Sequence, residues 1–76
     1  MMEFVGDVVD LDVRDDDGDT ALILASQEGK PECVKLLIDA GADLNVRNKY
    51  GFTALRWASN NGNTECVKLL KSAGAI

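Results

Sequence analysis

The chain has 76 residues, a net charge of −5 and no histidine. This length allows one domain at most, with a thin core and no deep pocket. The acidic balance excludes a basic face for nucleic acid phosphates, and the lack of histidine makes Ser-His-Asp, Cys-His and HExxH sites impossible. We therefore predict neither nucleic acid binding nor catalysis.

The sequence carries no sign of export or of a membrane anchor. The first seven residues contain acids where a signal peptide needs positive charge, and the longest apolar stretch near the middle, Ala21–Ala25, is far too short for a bilayer. Cys33 and Cys66 form no CxxC pair, and two lone thiols suggest a reducing compartment. We expect an intracellular protein, cytoplasmic or nuclear, with no membrane partner and no cofactor.

Residues 1–12 come first along the chain. The stretch Asp10-Leu-Asp-Val-Arg14, which runs across the end of this segment, parallels Asp43-Leu-Asn-Val-Arg47 further on. We interpret 1–12 as a partial repeat or the remnant of an N-terminal cap, whose apolar residues are Phe4, Val5, Val8 and Val9.

Residues 13–47 form the next unit, which opens on the acidic run Asp15-Asp16-Asp17-Gly18-Asp19. A helix-loop-helix calcium loop with Gly18 at its sixth position would need oxygen ligands at Val13 and Leu24, which have none. The run therefore predicts a solvated turn without a metal.

Two short helices follow this turn. Thr20 suits an N-cap, and the first helix should run to about Glu28, where Gly29 can end it in a left-handed conformation. The second helix should begin near Pro31, because proline in the first turn loses no hydrogen bond. One face of this second helix is apolar and contains Val34, Leu37 and Ile38.

Residues 48–76 repeat this plan after the polar, extended segment Gly41–Gly51, which we predict to be a protruding finger. Thr53 should cap a helix that runs to about Asn61. Behind Gly62, a possible Asn63 cap should start the last helix near Thr64.

The two units align without a gap at an offset of 33 residues. Sixteen of the 29 pairs between Asp15–Asp43 and Asn48–Ile76 are identical. A fixed period of this length indicates an array of helical hairpins, each of which buries its apolar face against a neighbour.

The pattern resembles the ankyrin repeat, through Asp17-Gly-Asp-Thr-Ala-Leu-Ile-Leu-Ala-Ser26 and Tyr50-Gly-Phe-Thr-Ala-Leu-Arg-Trp-Ala-Ser59. The resemblance implies an all-α solenoid of stacked helix-turn-helix units with β-turn or hairpin fingers, and a non-catalytic module that binds a partner protein. Alanine replaces the usual proline at Ala21 and Ala54. Ile23 and Arg56 replace the usual histidine, so that residue's hydrogen bond is absent or different.

The ends of the array differ in polarity. Lys71 and Ser72 take the places of Ile38 and Asp39, which suits a polar terminal cap. The opposite face of the first unit is covered either by residues 1–12 or by a second chain. Residues 1–38 carry ten acids and three bases, whereas 39–76 carry three acids and five bases, which would permit head-to-tail self-assembly. A homo-oligomer, a fragment and an engineered scaffold all stay open as alternatives.

In the family, partners contact the finger tips and the exposed surface of the first helices. Carried over by position, the residues that this implies for partner binding are Arg14, Asp16, Asp17, Asp19, Gln27, Glu28, Arg47, Lys49, Tyr50, Phe52, Asn60 and Asn61. We hypothesise that Tyr50 and Phe52 form an exposed apolar anchor, since aromatic residues are enriched at hot spots. Lys49 and Arg47 would flank it, beside an acidic patch of Asp16, Asp17 and Asp19.

Four further residues have competing interpretations. Cys33 and Cys66 read as small buried apolar residues rather than reactive thiols. Trp57 reads as core filling or as a binding anchor. Arg56 either contacts a partner or extends along the surface from the place of the family's histidine.

Overall fold

The computed structural model describes residues 11–75, and this part of the chain contains four helices and no strand. Helices α1 (Ala21–Glu28) and α2 (Pro31–Asp39) form the first hairpin, and α3 (Ala54–Asn60) and α4 (Thr64–Ser72) form the second. The expected all-α architecture is confirmed. The proposed role of Phe4, Val5, Val8 and Val9 as a cap lies outside the described residues.

The four helices form two layers. α1 packs beside α3 and α2 packs beside α4, while each hairpin also packs internally. The hairpins therefore stack side by side in the same orientation. Within residues 11–75, no helix is long and apolar enough to cross a membrane.

The first helix of each hairpin begins as its sequence predicts. The Thr20 hydroxyl oxygen accepts a hydrogen bond from the Ile23 amide at 3.3 Å, and Thr53 accepts one from Arg56 at 3.2 Å. Gly29 follows α1 with φ +70°, the left-handed conformation that favours glycine. Side chains of Thr20 and Thr53 thus fix both helix starts.

The second helices begin without a side-chain cap. Neither Lys30 before α2 nor Asn63 before α4 makes one. Asn63 occupies the predicted N-cap position, but its side chain makes no capping bond. The side-chain amide of Asn63 instead donates to the backbone oxygens of Ser26 at 2.7 Å and Gln27 at 3.3 Å. These bonds join the second hairpin to the C-terminal end of α1.

The core is a seam of aliphatic and small residues between the hairpins. Leu22 and Ile23 of α1, Val34 of α2 and Leu70 of α4 are at most 1% exposed. α3 buries mainly Ala54 and Ala58, and these short side chains let α1 lie close to it. The expectation that the hairpins bury their apolar faces against each other is confirmed.

The two cysteines do not share one environment. Cys66 is buried, as expected, but Cys33 is exposed, so the prediction of two buried thiols is wrong for Cys33. Both are free, and burial raises the pKa of the Cys66 thiol, with a smaller contribution from the charge of Glu65. Cys66 lies on α4, which packs beside α2, whereas Cys33 lines an open groove on α1 and α2.

Candidate functional site

Both finger turns are built on one short polar side chain. In the first turn, Asp15 Oδ1 accepts from the amides of Asp17 at 3.0 Å and Asp19 at 2.8 Å. In the second, Asn48 Oδ1 accepts from Tyr50 and Phe52, each at 2.9 Å. Aspartate and asparagine can both hold such a turn, because each offers the required acceptor oxygen.

A glycine completes each turn. Gly18 has φ +78° and Gly51 has φ +81°, and their amides donate at 2.9 Å to the carbonyls of Asp15 and Asn48. The two fingers therefore have the same local geometry, and the residues after Asp15 and Asn48 are displayed at equivalent places.

The fingers are joined by a buried polar contact that was not predicted from the sequence. Asn48 is 7% exposed, and its amide nitrogen donates to Asp19 Oδ1 at 2.9 Å. The Lys49 backbone amide donates to the Asp17 carbonyl at 2.9 Å. The signal that could have revealed Asn48 is its place opposite Asp15, where asparagine keeps the acceptor and adds a donor.

The structure leaves most of the proposed partner-binding residues in contact with solvent. The exposed ones are Arg14, Asp16, Asp17, Glu28, Arg47, Lys49, Tyr50, Asn60 and Asn61. Gln27 is half-buried, and its carbonyl accepts from the Asn61 amide at 3.0 Å.

Two of the proposed residues lie elsewhere than expected. Asp19 is 8% exposed and bonded to Asn48, so its place in an exposed acidic patch is wrong. Phe52 is half-buried, with its ring edge-on to Trp57 at a centroid distance of 5.1 Å, so it is not a free aromatic at the tip. Trp57 itself is half-buried against the core, and its indole nitrogen has no partner among residues 11–75.

Tyr50 is the aromatic that the second finger exposes, at 63%. The Lys49 ammonium lies 5.2 Å from the centre of its ring and 3.0 Å from Asp17 Oδ1. Hydrogen bonding to Asp17, and next to Tyr50, raises the pKa of Lys49. The tip therefore presents a tyrosine beside a cation that is already paired with one of the acids.

The acidic turn brings carboxylates close together. Oxygens of Asp15, Asp17 and Asp19 lie within 4.8 Å of one another. However, Asp15 accepts two backbone amides, Asp17 pairs with Lys49, and Asp19 accepts from Asn48. The turn and the contact between the fingers account for this cluster.

Arg56 and Arg47 line a groove between the second finger and α3. Its volume is about 380 Å³, and its other lining residues are Gly51, Thr53, Leu55 and Ser59. The Arg56 guanidinium lies 4.9 Å from the centre of the Phe52 ring. The Arg56 side chain therefore extends over an aromatic face.

The family model for ankyrin repeats, which describes three copies, matches residues 2–76. No curated protein matches the chain. Ankyrin repeats are generally protein–protein interaction modules, and the family is generally non-catalytic. The boundaries assigned above to residues 1–12, 13–47 and 48–76 stay a prediction. With paired helical hairpins, matched finger turns and this family match, the chain belongs to the ankyrin-repeat family.

Proposed function

We propose that this chain is a non-catalytic module that binds a partner protein through its finger tips and the exposed side of α1 and α3. The observation that carries the proposal is the display of Tyr50. An ordered turn holds this tyrosine 63% exposed, on a finger that is itself bonded to its neighbour. A rigid aromatic side chain gives contact area at a low cost in conformational entropy.

The charges around Tyr50 support a narrower proposal for the partner. Asp19 is buried, and Asp17 is paired with Lys49. Of the three acids in the predicted patch, Asp16 is therefore the one that is neither buried nor paired with Lys49. Arg47 is exposed on the same finger. An intact acidic patch would suit a partner with basic residues, as the sequence suggested. With that patch reduced, we favour a partner that offers an apolar pocket for Tyr50 and an acidic group for Arg47.

The composition supports a protein rather than a nucleic acid or a membrane as partner. A net charge of −5 opposes phosphate backbones and anionic lipid surfaces. Two free thiols suit a reducing compartment, so we propose that the module acts in the cytoplasm or nucleus.

Self-association is a second candidate, and one observation favours it. A groove of about 460 Å³ on α1 and α2 is lined by Ala21, Leu24, Ala25, Cys33, Leu36 and Leu37. Leu36 is 69% exposed and Leu24 is 41% exposed. Exposed apolar patches mark contact surfaces in many proteins.

Two exposed positions separate the candidates. A displayed random-peptide library serves as the probe, and the peptides it yields are measured against Tyr50→Ala and Leu36→Ala. We expect Tyr50→Ala to weaken binding at least tenfold and Leu36→Ala to leave it unchanged, because Leu36 lies on the outer helix α2. If instead Tyr50→Ala binds like the parent protein while its circular dichroism is intact, the finger-tip proposal fails.

Sedimentation velocity tests the second candidate with the same two variants. A concentration-dependent dimer that Leu36→Ala disrupts and Tyr50→Ala preserves would favour self-association. A monomer at every concentration would remove that candidate.

A further inference from the structure

The groove between the second finger and α3 is the surface at which a hairpin of this array meets its successor. The equivalent surface of the first unit is closed by the second unit. Leu22, Ile23 and Ser26 are at most 1% exposed there, and a Cβ on Gly18 would lie 3.0 Å from the Lys49 nitrogen. In the second unit the equivalent residues are Leu55, Arg56 and Ser59, and they line the open groove.

The residues of this groove are unsuited to receive another hairpin. Arg56 replaces Ile23, which removes a buried apolar contact, and Lys71 replaces Ile38 on the neighbouring helix. Phe52 replaces Asp19, which removes the carboxylate that accepts from Asn48. The loss of the carboxylate removes a bond that joins the two described units, and charged side chains stand where the first unit has apolar ones. The groove therefore suits a different occupant.

The groove is instead equipped for an anion. Arg47 and Arg56 both line it, no acidic residue does, and neither arginine has an ion pair within residues 11–75. The hydroxyls of Thr53 and Ser59 add potential donors. The half of the chain from residue 39 onward carries three acids and five bases, so its own net charge is positive as well.

The Arg56 side chain packs on an aromatic ring beside the groove. Its guanidinium lies over the Phe52 ring at 4.9 Å, and that ring lies edge-on to Trp57 with an interplanar angle of 80°. The Phe52 amide is also bonded to Asn48 Oδ1. A guanidinium that packs on a ring has less conformational entropy to lose when it binds a carboxylate.

We propose that this groove binds a glutamate or aspartate side chain of an acidic partner peptide, with Arg47 and Arg56 donating to the carboxylate. Planar guanidinium groups match the two oxygens of a carboxylate. A volume of about 380 Å³ is at the small end of ligand sites, which suits one or two side chains rather than a folded surface. This inference rests on the proposed interaction function and names the charge class of its partner.

The probe is an acetylated, amidated peptide of glutamate, leucine and glycine, with a matched peptide in which glutamine replaces every glutamate. We titrate both into the ¹⁵N-labelled full chain and follow amide and arginine side-chain signals by NMR. We expect the glutamate peptide to shift signals of Arg47, Gly51 and Arg56, and the glutamine peptide to bind at least tenfold more weakly. Raising the salt concentration should weaken binding of the glutamate peptide but not of the glutamine peptide.

Variants of equal charge change give the control. Arg56→Gln and Arg47→Gln should each reduce affinity for the glutamate peptide about tenfold, since each removes a charge-assisted hydrogen bond. Lys68→Gln, on the exposed outer surface of α4, should leave the affinity unchanged. All three substitutions are at exposed positions, and thermal unfolding checks that each variant is folded.

Three results would overturn the inference: equal affinity for the two peptides, an equal loss for Lys68→Gln and Arg56→Gln, or at least tenfold tighter binding of a phosphoserine peptide through the same arginines. The Tyr50→Ala experiment is independent of all three. If Tyr50→Ala weakens library-derived peptides and Arg56→Gln does not affect the glutamate peptide, the interaction function stands and the carboxylate site is wrong.

Discussion

The first and second hairpins share most of their residues but bury different ones. Ala54, Cys66 and Leu70 are buried in the second hairpin, whereas their equivalents Ala21 and Cys33 are exposed and Leu37 is half-buried. The opposite face shows the reverse pattern. The residues buried there in the first hairpin and more exposed in the second are the pairs Leu22/Leu55, Ser26/Ser59 and Val34/Val67.

This exchange of buried faces shows that each hairpin has two surfaces for neighbours and that each described hairpin uses one of them. A repeat array is stabilised by contacts between adjacent units, so the environment of a residue depends on which side has a neighbour. Identical residues at matched positions therefore serve as internal controls for one another. The predictions below use four pairs of matched positions, three of which hold identical residues.

The largest difference should separate Leu70 from Leu37. Leu70→Ala removes a fully buried side chain between the hairpins and should lower the free energy of unfolding by about 3 kcal/mol. Leu37→Ala should cost roughly half as much, because that side chain already contacts water in the folded state. Urea unfolding followed by circular dichroism measures both. Equal losses would contradict the difference in burial between the two leucines.

The turn residues Asn48 and Asp15 form the second pair. Asn48→Ala should lower the free energy of unfolding by about 2 kcal/mol, because it leaves Asp19 and two backbone amides in this buried region without their partner. Asp15→Ala loses two similar backbone contacts at an exposed position and should cost about 1 kcal/mol.

Asn48→Asp sharpens this test. It keeps the acceptor for Tyr50 and Phe52 but places a carboxylate against Asp19 Oδ1, and like charges repel. We expect it to be less stable than the parent protein in the same urea measurement. A stability equal to that of the parent would show that the contact between the fingers contributes little.

The finger glycines form the third pair. Gly18→Ala and Gly51→Ala both force alanine into a left-handed conformation, at a cost of about 1 kcal/mol each. Only Gly18→Ala adds a clash, because its Cβ would lie 3.0 Å from the Lys49 nitrogen, whereas nothing lies within 4 Å at Gly51. The midpoint temperature of thermal unfolding should therefore be lower for Gly18→Ala than for Gly51→Ala. The reverse order would contradict the close approach of the two fingers.

The thiols form the last pair, and their difference is measured by reactivity rather than by stability. Iodoacetamide should add one group to the native chain, at the exposed Cys33, and two groups in urea. Mass spectrometry counts the additions, and Cys33→Ala and Cys66→Ala assign them. Two rapid additions to the native chain would show that the α2–α4 contact opens readily.

The raised pKa of Cys66 adds a pH test with a definite sign. Burial disfavours the thiolate, so the folded protein holds this proton more tightly than the unfolded chain does. Its contribution to stability is present below the ordinary thiol pKa and is lost as pH rises through the shifted value. Cys66→Ala should remove this part of the alkaline loss of stability.

Much of the local structure was predictable because short-range rules decide it. Thr20, Gly29 and Pro31 set the ends of helices through contacts with their own neighbours in sequence. The placements of Asp19 and Phe52 were not predictable in this way. These two residues occupy equivalent positions in the two units but differ in type. The position of Asp19 depends on its bond to Asn48, and that of Phe52 depends on its contact with Trp57.

The amino acid sequence by itself determined the period of 33 residues, the helix positions, the finger turns and the family, because these depend on residue type and on regular spacing. Only the tertiary structure decided which of two identical residues is buried, that Asn63 bridges the hairpins, and that Arg47 and Arg56 share a groove. Burial is a property of two surfaces in contact. A single unit's residues describe its own surface but not which neighbour covers it.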